Sequence, residues 1–324
     1  MRFFTQHNLI DRPPRKPEES QPTYLTSHDG LQLYYRLHHS DGAGALLWLL
    51  EGLGGAVRNA DDPMLTYLTT IGYDVVEFHP RGSGYSQGPR GDVEDFEVLL
   101  ADYDQFLRFV RERNVPRSLV LVGWSMGGAM AADVLARNSH DVAGVILINP
   151  AFRYTTTVGP SFSQILRYGF NWLFRRSALS VDMMASIDSL TGEDLQEARK
   201  RVEDPMIVRY ASLRYLSGVR GCMQRLLNNA RHAQVPLLLL YGENDPIIDH
   251  TGSQEIYDTW GHGDKEIILL PGCGHGESAS RAAQPFIGNW LSTRFPSLVG
   301  QDNQFDGIRS GAGDDANRPT KLSE

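Results

Sequence analysis

The pentapeptide Gly123-Trp124-Ser125-Met126-Gly127 carries the strongest chemical signal in this sequence. It follows an apolar run typical of a buried strand, residues 119–122, and precedes a small-residue stretch of helical character. A chain that turns sharply from strand to helix needs glycines beside the turning residue, because larger side chains would clash there. The context predicts that Ser125 is a nucleophile at the carboxyl end of a sheet, above a helix N-terminus that favours negative charge. An ordinary glycine-rich strand–helix turn is the alternative.

A serine hydroxyl is a weak nucleophile at neutral pH, so it needs a base and a third group that orients the base. Both partners are expected just past the carboxyl ends of later strands, in the order serine, acid, histidine. We predict Asp245 as the acid because it follows an apolar strand-like run; Glu243 and Asp249 are competing carboxylates. We predict His275 as the base because it lies in a glycine-rich loop after another apolar run.

The oxyanion that would develop during acyl transfer needs backbone N–H donors, which together form an oxyanion hole. One donor is expected from Met126, directly after the serine. The other is expected from the glycine-rich residues 51–55, which follow the apolar run 46–50. We predict the amide of Leu53 as this second donor, with the amide of Gly54 as the alternative.

Two further motifs favour structural interpretations over chemical ones. His79 follows a strand-like run and is interpreted as a hydrogen-bonded loop histidine near the site. The glycine-rich residues 80–86 lack the Gly-Lys-Ser/Thr ending of a phosphate loop, so nucleotide binding is not expected. Histidine, cysteine and carboxylate residues do not occur at metal-ligand spacings. We therefore expect neither a metal ion nor another cofactor.

Length and composition limit the class of protein. With 324 residues, of which 41% are hydrophobic, the chain suits one large α/β domain with an insertion, or two small domains. The formal net charge of -8 argues against nucleic acid as a partner, because a phosphate backbone needs a basic surface. The two cysteines, Cys222 and Cys273, form no disulfide framework, and no apolar run is long enough for a secretory signal or a membrane span. We expect a soluble, cytoplasmic protein.

Strand-like runs alternate with helical patterns over residues 23–151 and 233–297, which predicts an α/β fold with a mostly parallel central sheet and helices on both faces. The alternation stops over residues 152–232, named here the cap segment, which is expected to be helical and to lie over the sheet. Its four predicted helices span about residues 162–174, 192–202, 207–219 and 222–231. Residues 1–22 and 298–324 are polar and charged, as is typical of a flexible arm and a disordered tail.

Taken together, these motifs resemble the α/β-hydrolase superfamily, and within it the monoacylglycerol lipase and lysophospholipase-like serine hydrolases. The resemblance covers about residues 23–297. The matching segments are residues 52–55, 79–86, 88–91, 123–128, 204–207, 242–245 and 272–275. The resemblance implies the α/β-hydrolase fold with a helical cap insertion. It also implies a catalytic triad of Ser125, Asp245 and His275, with the amides of Leu53 and Met126 as the oxyanion hole.

Two positions depart from the family pattern. Glu51 stands where the family usually has a histidine before the oxyanion glycine. A carboxylate there would oppose developing negative charge, so we expect Glu51 to be turned away from the site. Gly276 stands directly after His275, where the subfamily often has glutamate, and Glu277 follows one residue later.

The resemblance and the candidate residues predict a cofactor-independent serine hydrolase of small carboxylic esters that acts through an acyl-enzyme intermediate. Monoacylglycerols or lysophospholipids are the expected type of substrate. The same residues would serve a thioesterase, a lactonase or an amidase, because the fold does not select the leaving group. A non-catalytic binding protein on a hydrolase scaffold is the other alternative. The oligomeric state is left open.

The cap segment contains an apolar and aromatic stretch with arginines beside it. Packing of these side chains on the sheet is the simplest interpretation. The alternative hypothesis is an acyl-chain tunnel, with the arginines in transient contact with a membrane surface or an anionic head group. The predicted substrate-binding residues are Trp124, Phe162, Leu166 and Phe170.

Overall fold

The computed structural model describes seven ranges of the chain: residues 23–42, 44–52, 55, 62–114, 117–138, 140–155 and 162–297. The predicted flexible arm and disordered tail lie outside the described residues, and so do Leu53 and Gly54.

Eight strands of the described chain form the main sheet. They are β1 (Tyr24–Thr26), β2 (Gln32–His38), β3 (Leu46–Leu50), β4 (Val75–Phe78), β5 (Leu119–Trp124), β6 (Gly144–Ile148), β9 (Leu237–Gly242) and β10 (Lys265–Leu270). Their order in space is β1-β2-β4-β3-β5-β6-β9-β10. The first two pairings, β1 with β2 and β2 with β4, are antiparallel. The remaining pairings are parallel, so the sheet is mostly parallel, as the alternating pattern predicted.

Helices cover both faces of this sheet, which explains why its central strands are apolar on both sides. Helices α1 (Pro63–Thr70) and α8 (Glu277–Arg294) cover one face. Helices α2 (Phe96–Asn114), α3 (Met126–Arg137) and α7 (His250–Thr259) pack on the other. In strands β3 and β6, every residue is buried. Because β3, β5, β6, β9 and β10 run parallel, they end at the same edge of the sheet, and the loops after them carry the candidate site.

The cap segment lies between β6 and β9 in the chain and is not wholly helical. It contains α4 (Phe162–Phe174), β7 (Leu179–Asp182), α5 (Gly192–Glu203), β8 (Tyr210–Ser212) and α6 (Leu213–Asn229). Strands β7 and β8 form an antiparallel pair, so the prediction that this segment has no strand is wrong. The two strands have four and three residues, which is too short for an alternating pattern to show in the sequence.

Helix α6 is continuous where the sequence predicted two helices with a break near Gly221, so that prediction is also wrong. Gly218 of this helix serves packing rather than termination. A Cβ atom on Gly218 would overlap the ring of Phe96 on α2, so glycine at this position lets the two helices approach closely. Among the described residues, none of the helices has both the length and the apolar composition that crossing a membrane requires.

Candidate active site

Ser125 lies at the sharp turn between β5 and α3. Its backbone φ is 54°, a left-handed conformation that few residues other than glycine adopt. Neighbouring glycines make the turn possible, because a Cβ atom on Gly127 would overlap the carbonyl oxygen of Leu50 on β3, and one on Gly123 would lie 2.5 Å from the carbonyl oxygen of Gly127. The Ser125 side chain is thereby held at the carboxyl edge of the sheet.

His275 joins Ser125 to Asp245. The Nε2 atom of His275 lies 2.9 Å from the Oγ of Ser125, and its Nδ1 atom lies 2.6 Å from the Oδ2 of Asp245. The side chains of His275 and Asp245 are 9% and 4% exposed. When the carboxylate accepts a hydrogen bond from Nδ1–H, the lone pair of Nε2 faces the serine hydroxyl, which is the arrangement that can remove its proton.

Asp245 is itself held by the turn that follows β9. Its Oδ1 atom accepts hydrogen bonds from the backbone N–H groups of Ile247 at 2.8 Å and Ile248 at 2.9 Å. These bonds leave Oδ2 free to face the imidazole. The competing carboxylates have other contacts: Glu243 accepts from the N–H of Gly272, and Asp249 accepts from the N–H of Thr251 at the start of α7.

The predicted oxyanion donors are only partly within the described chain. Met126 is the first residue of α3, so its amide belongs to the helix N-terminus next to Ser125. The segment after β3 passes close to this point, because a Cβ atom on Gly52 would lie 3.3 Å from the Cβ of Ser125. Leu53 lies outside the described residues, and its role stays a prediction. Glu51 lines a separate cavity of about 30 Å³ and is not among the residues that line the cavity over Ser125.

A cavity of about 420 Å³ opens over Ser125 and His275, and the sheet and the cap segment both line it. Its apolar lining comes mostly from the cap segment: Met183, Met184, Ile187, Leu190 and Ile207, with Ile247 from the loop after β9. Its charged lining comes from both parts: Asp62, Asp194, Glu197, Arg201, Glu277 and Arg281. The pKa of Glu277 is raised, mainly because the side chain is buried and also because the carboxylate of Asp62 is nearby. The cavity therefore offers an apolar wall and a polar wall to one ligand.

Trp124 lines this cavity, and its ring contacts both His275 and Arg201. Its ring stacks on the imidazole of His275 with 5.9 Å between centroids, and the guanidinium of Arg201 lies 4.8 Å from its ring centroid. Phe170 does not line the cavity. It lies on α4 with 55% of its surface exposed, and its role as a substrate-binding residue stays a prediction. The side chains of Phe162 and Leu166, the remaining two predictions, lie outside the described part of the molecule.

Asn149 is a buried residue of the site that the sequence did not predict. It follows β6 with a positive φ of 43°. Its Oδ1 accepts a hydrogen bond from the N–H of Gly242 at 2.7 Å, and its Nδ2 donates one to the carbonyl oxygen of Gly274 at 2.9 Å. Asn149 thus joins the end of β9 to the loop that carries His275. The signal in the sequence was its place, directly after a buried strand at the carboxyl edge.

His79 lies outside both cavities, in agreement with its structural interpretation. It is 1% exposed, its ring contacts the rings of Tyr34 and Tyr85, and its Nδ1 accepts a hydrogen bond from the N–H of Tyr85. Within the described ranges, there is no group of three histidine, cysteine or carboxylate side chains arranged to hold a metal ion.

Comparison with known families fits this geometry. A profile of the family described as serine aminopeptidase, S33 (Hydrolase_4), matches residues 42–277. The chain belongs to this family. Human monoglyceride lipase is 26% identical to it over 271 residues, which are 81% of this chain and 87% of the human protein. These similarities support the predicted class of enzyme, a carboxylic ester hydrolase, and confirm the resemblance to monoacylglycerol lipases.

Solved structures show the same fold. The monoacylglycerol lipase of Paleococcus ferrophilus aligns with a TM-score of 0.67 at 21% identity, covering 81% of this chain and 99% of that structure. A soluble variant of monoglyceride lipase from Saccharomyces cerevisiae, in complex with a substrate analog, aligns with a TM-score of 0.69 at 21% identity, covering 88% and 99%. At this identity the two structures establish the shared fold, and the predicted α/β-hydrolase fold is confirmed.

Proposed function

We propose that this protein is a serine hydrolase of carboxylic esters, with Ser125 as nucleophile, His275 as general base and Asp245 as the acid that orients the base. The observation that carries the proposal is the continuous path from the Ser125 hydroxyl through the imidazole to the Asp245 carboxylate, with contacts of 2.9 and 2.6 Å. The three residues come from loops after three different strands. Their convergence over a cavity is the arrangement that acyl transfer requires.

In the proposed reaction, Ser125 Oγ attacks the ester carbonyl carbon while its proton passes to Nε2 of His275. The carbonyl oxygen becomes an oxyanion, which the amides of Met126 and Leu53 stabilise. When this intermediate collapses, the imidazolium gives its proton to the leaving alcohol and an acyl-serine remains. A water molecule then gives a proton to His275 as it attacks the acyl carbon. The imidazolium returns that proton to Ser125 Oγ as the Oγ–acyl bond breaks and the acid is released. Asp245 stabilises the imidazolium in both halves of the reaction.

The two walls of the cavity support an amphiphilic acyl ester as substrate. Apolar cap-segment side chains, such as Met184 and Ile187, offer a surface for an acyl chain, while Asp62, Glu277 and Arg281 offer partners for a polar alcohol or head group. A relative named monoglyceride lipase points in the same direction. We infer that the substrates are of the monoacylglycerol or lysophospholipid type, and that residues 152–232 form a cap over the core of residues 23–151 and 233–297.

The experiment combines a fluorophosphonate probe, which reacts with activated serines, with a substrate panel. We expect wild-type protein to be labelled and Ser125→Ala to lose both labelling and ester hydrolysis, with kcat lower by roughly 10⁴- to 10⁶-fold. The panel contains p-nitrophenyl esters of rising chain length, a monoacylglycerol, a lysophospholipid, an acyl thioester and an aminoacyl amide. Rates that rise with chain length are expected.

Each of the other outcomes points to a different function. Folded wild-type protein that resists labelling and cleaves none of the panel would favour a binding protein. Labelling that survives in Ser125→Ala would place the nucleophile elsewhere. The family description names an aminopeptidase, so faster cleavage of the amide than of the esters would replace the esterase by a peptidase that uses the same residues.

Helix α4 supports transient contact with a lipid surface. Four large apolar side chains, each at least 40% exposed, form what we call the α4 patch: Phe170, Trp172, Leu173 and Phe174. Three exposed arginines of the same region flank it: Arg167, Arg175 and Arg176. An exposed apolar group with a basic border is typical of a surface that binds anionic membranes.

Vesicle binding tests this contact. We expect the protein to sediment with vesicles of phosphatidylcholine and phosphatidylglycerol, and the double variant Leu173→Ser/Phe174→Ser to sediment less. Phe286→Ser, which removes an aromatic side chain that is 42% exposed on α8, is the matched control and should bind as wild type does. If the double variant sediments with the vesicles as fully as Phe286→Ser does, the proposed contact is contradicted.

A further inference from the structure

One buried carboxylate of the cap segment, that of Asp194, contacts the start of the helix that follows His275. Asp194 lies in the first turn of α5 and is 6% exposed. Its Oδ1 accepts a hydrogen bond from the backbone N–H of Ser278 at 2.8 Å, and its Oδ2 accepts one from the Ser278 hydroxyl at 2.8 Å. Ser278 is the second residue of α8, three positions after His275. Asp194 therefore binds the N-terminus of the helix that begins where the histidine loop ends.

Ser278 extends this contact to the residue before His275. Its Oγ accepts a hydrogen bond from the N–H of Gly274 at 3.1 Å. The carbonyl oxygen of Gly274 accepts a hydrogen bond from Asn149, as described above. Gly274 is thus held at its N–H by the cap segment through Ser278, and at its carbonyl by the end of β6. These bonds limit the positions that the imidazole of His275 can take.

The glycines on either side of His275 leave room for the Asp194 carboxylate. A Cβ atom on Gly274 would lie 2.5 Å from Oδ2 of Asp194, and one on Gly276 would lie 2.7 Å from its Oδ1. Side chains at either position would therefore displace the carboxylate. This contact gives a physical reason for Gly276 at a position where the subfamily often has glutamate.

The geometry and the chemistry of the contact favour a role for the carboxylate beyond simple packing. A buried carboxylate is costly unless hydrogen bonds compensate it, and here the partners are the hydroxyl and the backbone N–H of Ser278 in the first turn of a helix. A second contact joins α5 and α8, between Glu193 and Arg281 at 2.7 Å, but both side chains are about half exposed. Exposed ion pairs contribute little, so Asp194 is the stronger link between the two helices.

We propose that Asp194 is a positioning residue for His275, so that the cap segment sets the position of the base through Ser278. The inference rests on the proposed function, in which His275 accepts the proton of Ser125. Loss of the contact lets the imidazole drift from the serine hydroxyl and slows proton transfer, and small displacements of this kind have large effects on rate. Ser278 does not line the cavity, so its removal changes the rate constant without removing a substrate contact.

The test compares Asp194→Ala, Ser278→Ala and the double variant, with Glu193→Gln as the matched control on the same helix. We measure the rate constant of fluorophosphonate labelling, and kcat and KM for a short soluble ester. Asp194→Ala is expected to lower the labelling rate by roughly 10- to 100-fold, and Ser278→Ala to lower kcat with KM unchanged. The double variant is expected to be no slower than Asp194→Ala, because both changes break one chain of contacts. Glu193→Gln should match the wild type.

Asp194→Asn keeps one oxygen that can accept from the Ser278 N–H, so it should recover part of the rate lost in Asp194→Ala. Wild-type rates in a folded Asp194→Ala variant, or losses that simply add in the double variant, would overturn the inference while the proposed function stands. If Asp194→Ala does not fold, Asp194→Asn and Ser278→Ala decide, and wild-type rates in both overturn it. Wild-type protein that the probe does not label instead counts against the proposed function.

Discussion

At the scale of single residues, Asn149 shows how a backbone conformation and two side-chain bonds act together. Asparagine adopts a positive φ more readily than most residues, which allows the chain to turn directly after β6. The side chain then bonds to Gly242, which precedes the turn that carries Asp245, and to Gly274, which directly precedes His275. Because all three positions are at the carboxyl edge, a change at Asn149 reaches both Asp245 and His275.

We predict that Asn149→Ala lowers both stability and kcat. It leaves the buried N–H of Gly242 and the half-buried carbonyl of Gly274 without their partner, which costs about 1–3 kcal/mol, and it places alanine in a strained conformation. Urea unfolding and ester hydrolysis measure the two effects. Asn149→Gly removes the side chain but relieves the strain, so the difference between the two variants isolates the cost of the backbone conformation. Wild-type kcat in Asn149→Gly would exclude the side chain from any role in the site.

Local sequence was enough to predict where Ser125, Asp245 and His275 lie, since each follows an apolar run that becomes a strand of the sheet. Local sequence was not enough to predict that Asn149 and Asp194 belong to the site. Their contacts join positions that are 93 and 84 residues apart in the chain. An Asn-Pro pair or an acidic first turn of a helix is common, and only the folded chain shows what those side chains bind.

At the scale of secondary structure, the turn from β5 into α3 depends on contact with β3. We predict that Gly127→Ala destabilises the protein by roughly 1–3 kcal/mol, because its methyl group would push against the backbone carbonyl of Leu50. Gly221→Ala on α6 is the matched control, since its nearest neighbour would be a flexible Arg225 side chain at 3.6 Å. Alanine favours a helix over glycine by up to about 1 kcal/mol, so the control should gain stability.

Thermal unfolding of the two alanine variants measures the difference. A melting temperature of Gly127→Ala equal to that of the wild type would show that β3 and α3 separate at no cost, and would contradict the close packing of the turn. A melting temperature of Gly221→Ala below that of the wild type would show that α6 tolerates no added methyl group at this point.

Most secondary-structure elements were predictable because long runs of one period identify them. The central strands β3, β5 and β6 are apolar on both faces, and α2 repeats its apolar residues at helical spacing. The pair β7 and β8 escaped prediction because neither strand is long enough to show a period. The division of α6 between residues 219 and 222 was wrong because a glycine in the sequence, here Gly221, does not reveal whether it ends a helix or lies inside one.

At the scale of the whole molecule, Asp74 joins three strands at the amino edge of the sheet. It precedes β4 and accepts hydrogen bonds from the N–H of Ser40, which follows β2, and from Arg117, which precedes β5, both at 2.7 Å. Burial alone would raise the pKa of Asp74, but the hydrogen bonds from Arg117 and Ser40 outweigh it and lower the pKa.

We predict that this carboxylate makes the protein sensitive to acid. Because the pKa of Asp74 is lower in the folded state than in the unfolded chain, the unfolded chain binds the proton more tightly. The stabilisation is complete above the unfolded pKa of about 4 and is lost as the pH falls through the folded value. Urea unfolding between about pH 3 and pH 7 should show a shallower loss of stability in acid for Asp74→Asn than for the wild type. Equal slopes would contradict the assignment.

The close approach of Asp194 to Gly276 limits how freely this protein can be recombined with its relatives. A chimera that replaces residues 152–232 by the equivalent region of another hydrolase would remove the carboxylate that Gly274 and Gly276 accommodate. The graft would leave an empty space beside the histidine. In the reverse exchange, residues 152–232 of this chain are placed on a relative that carries glutamate directly after its histidine, and that glutamate would clash with Asp194. Transplants should therefore move residues 194, 276 and 278 as one set, whatever specificity the new region brings.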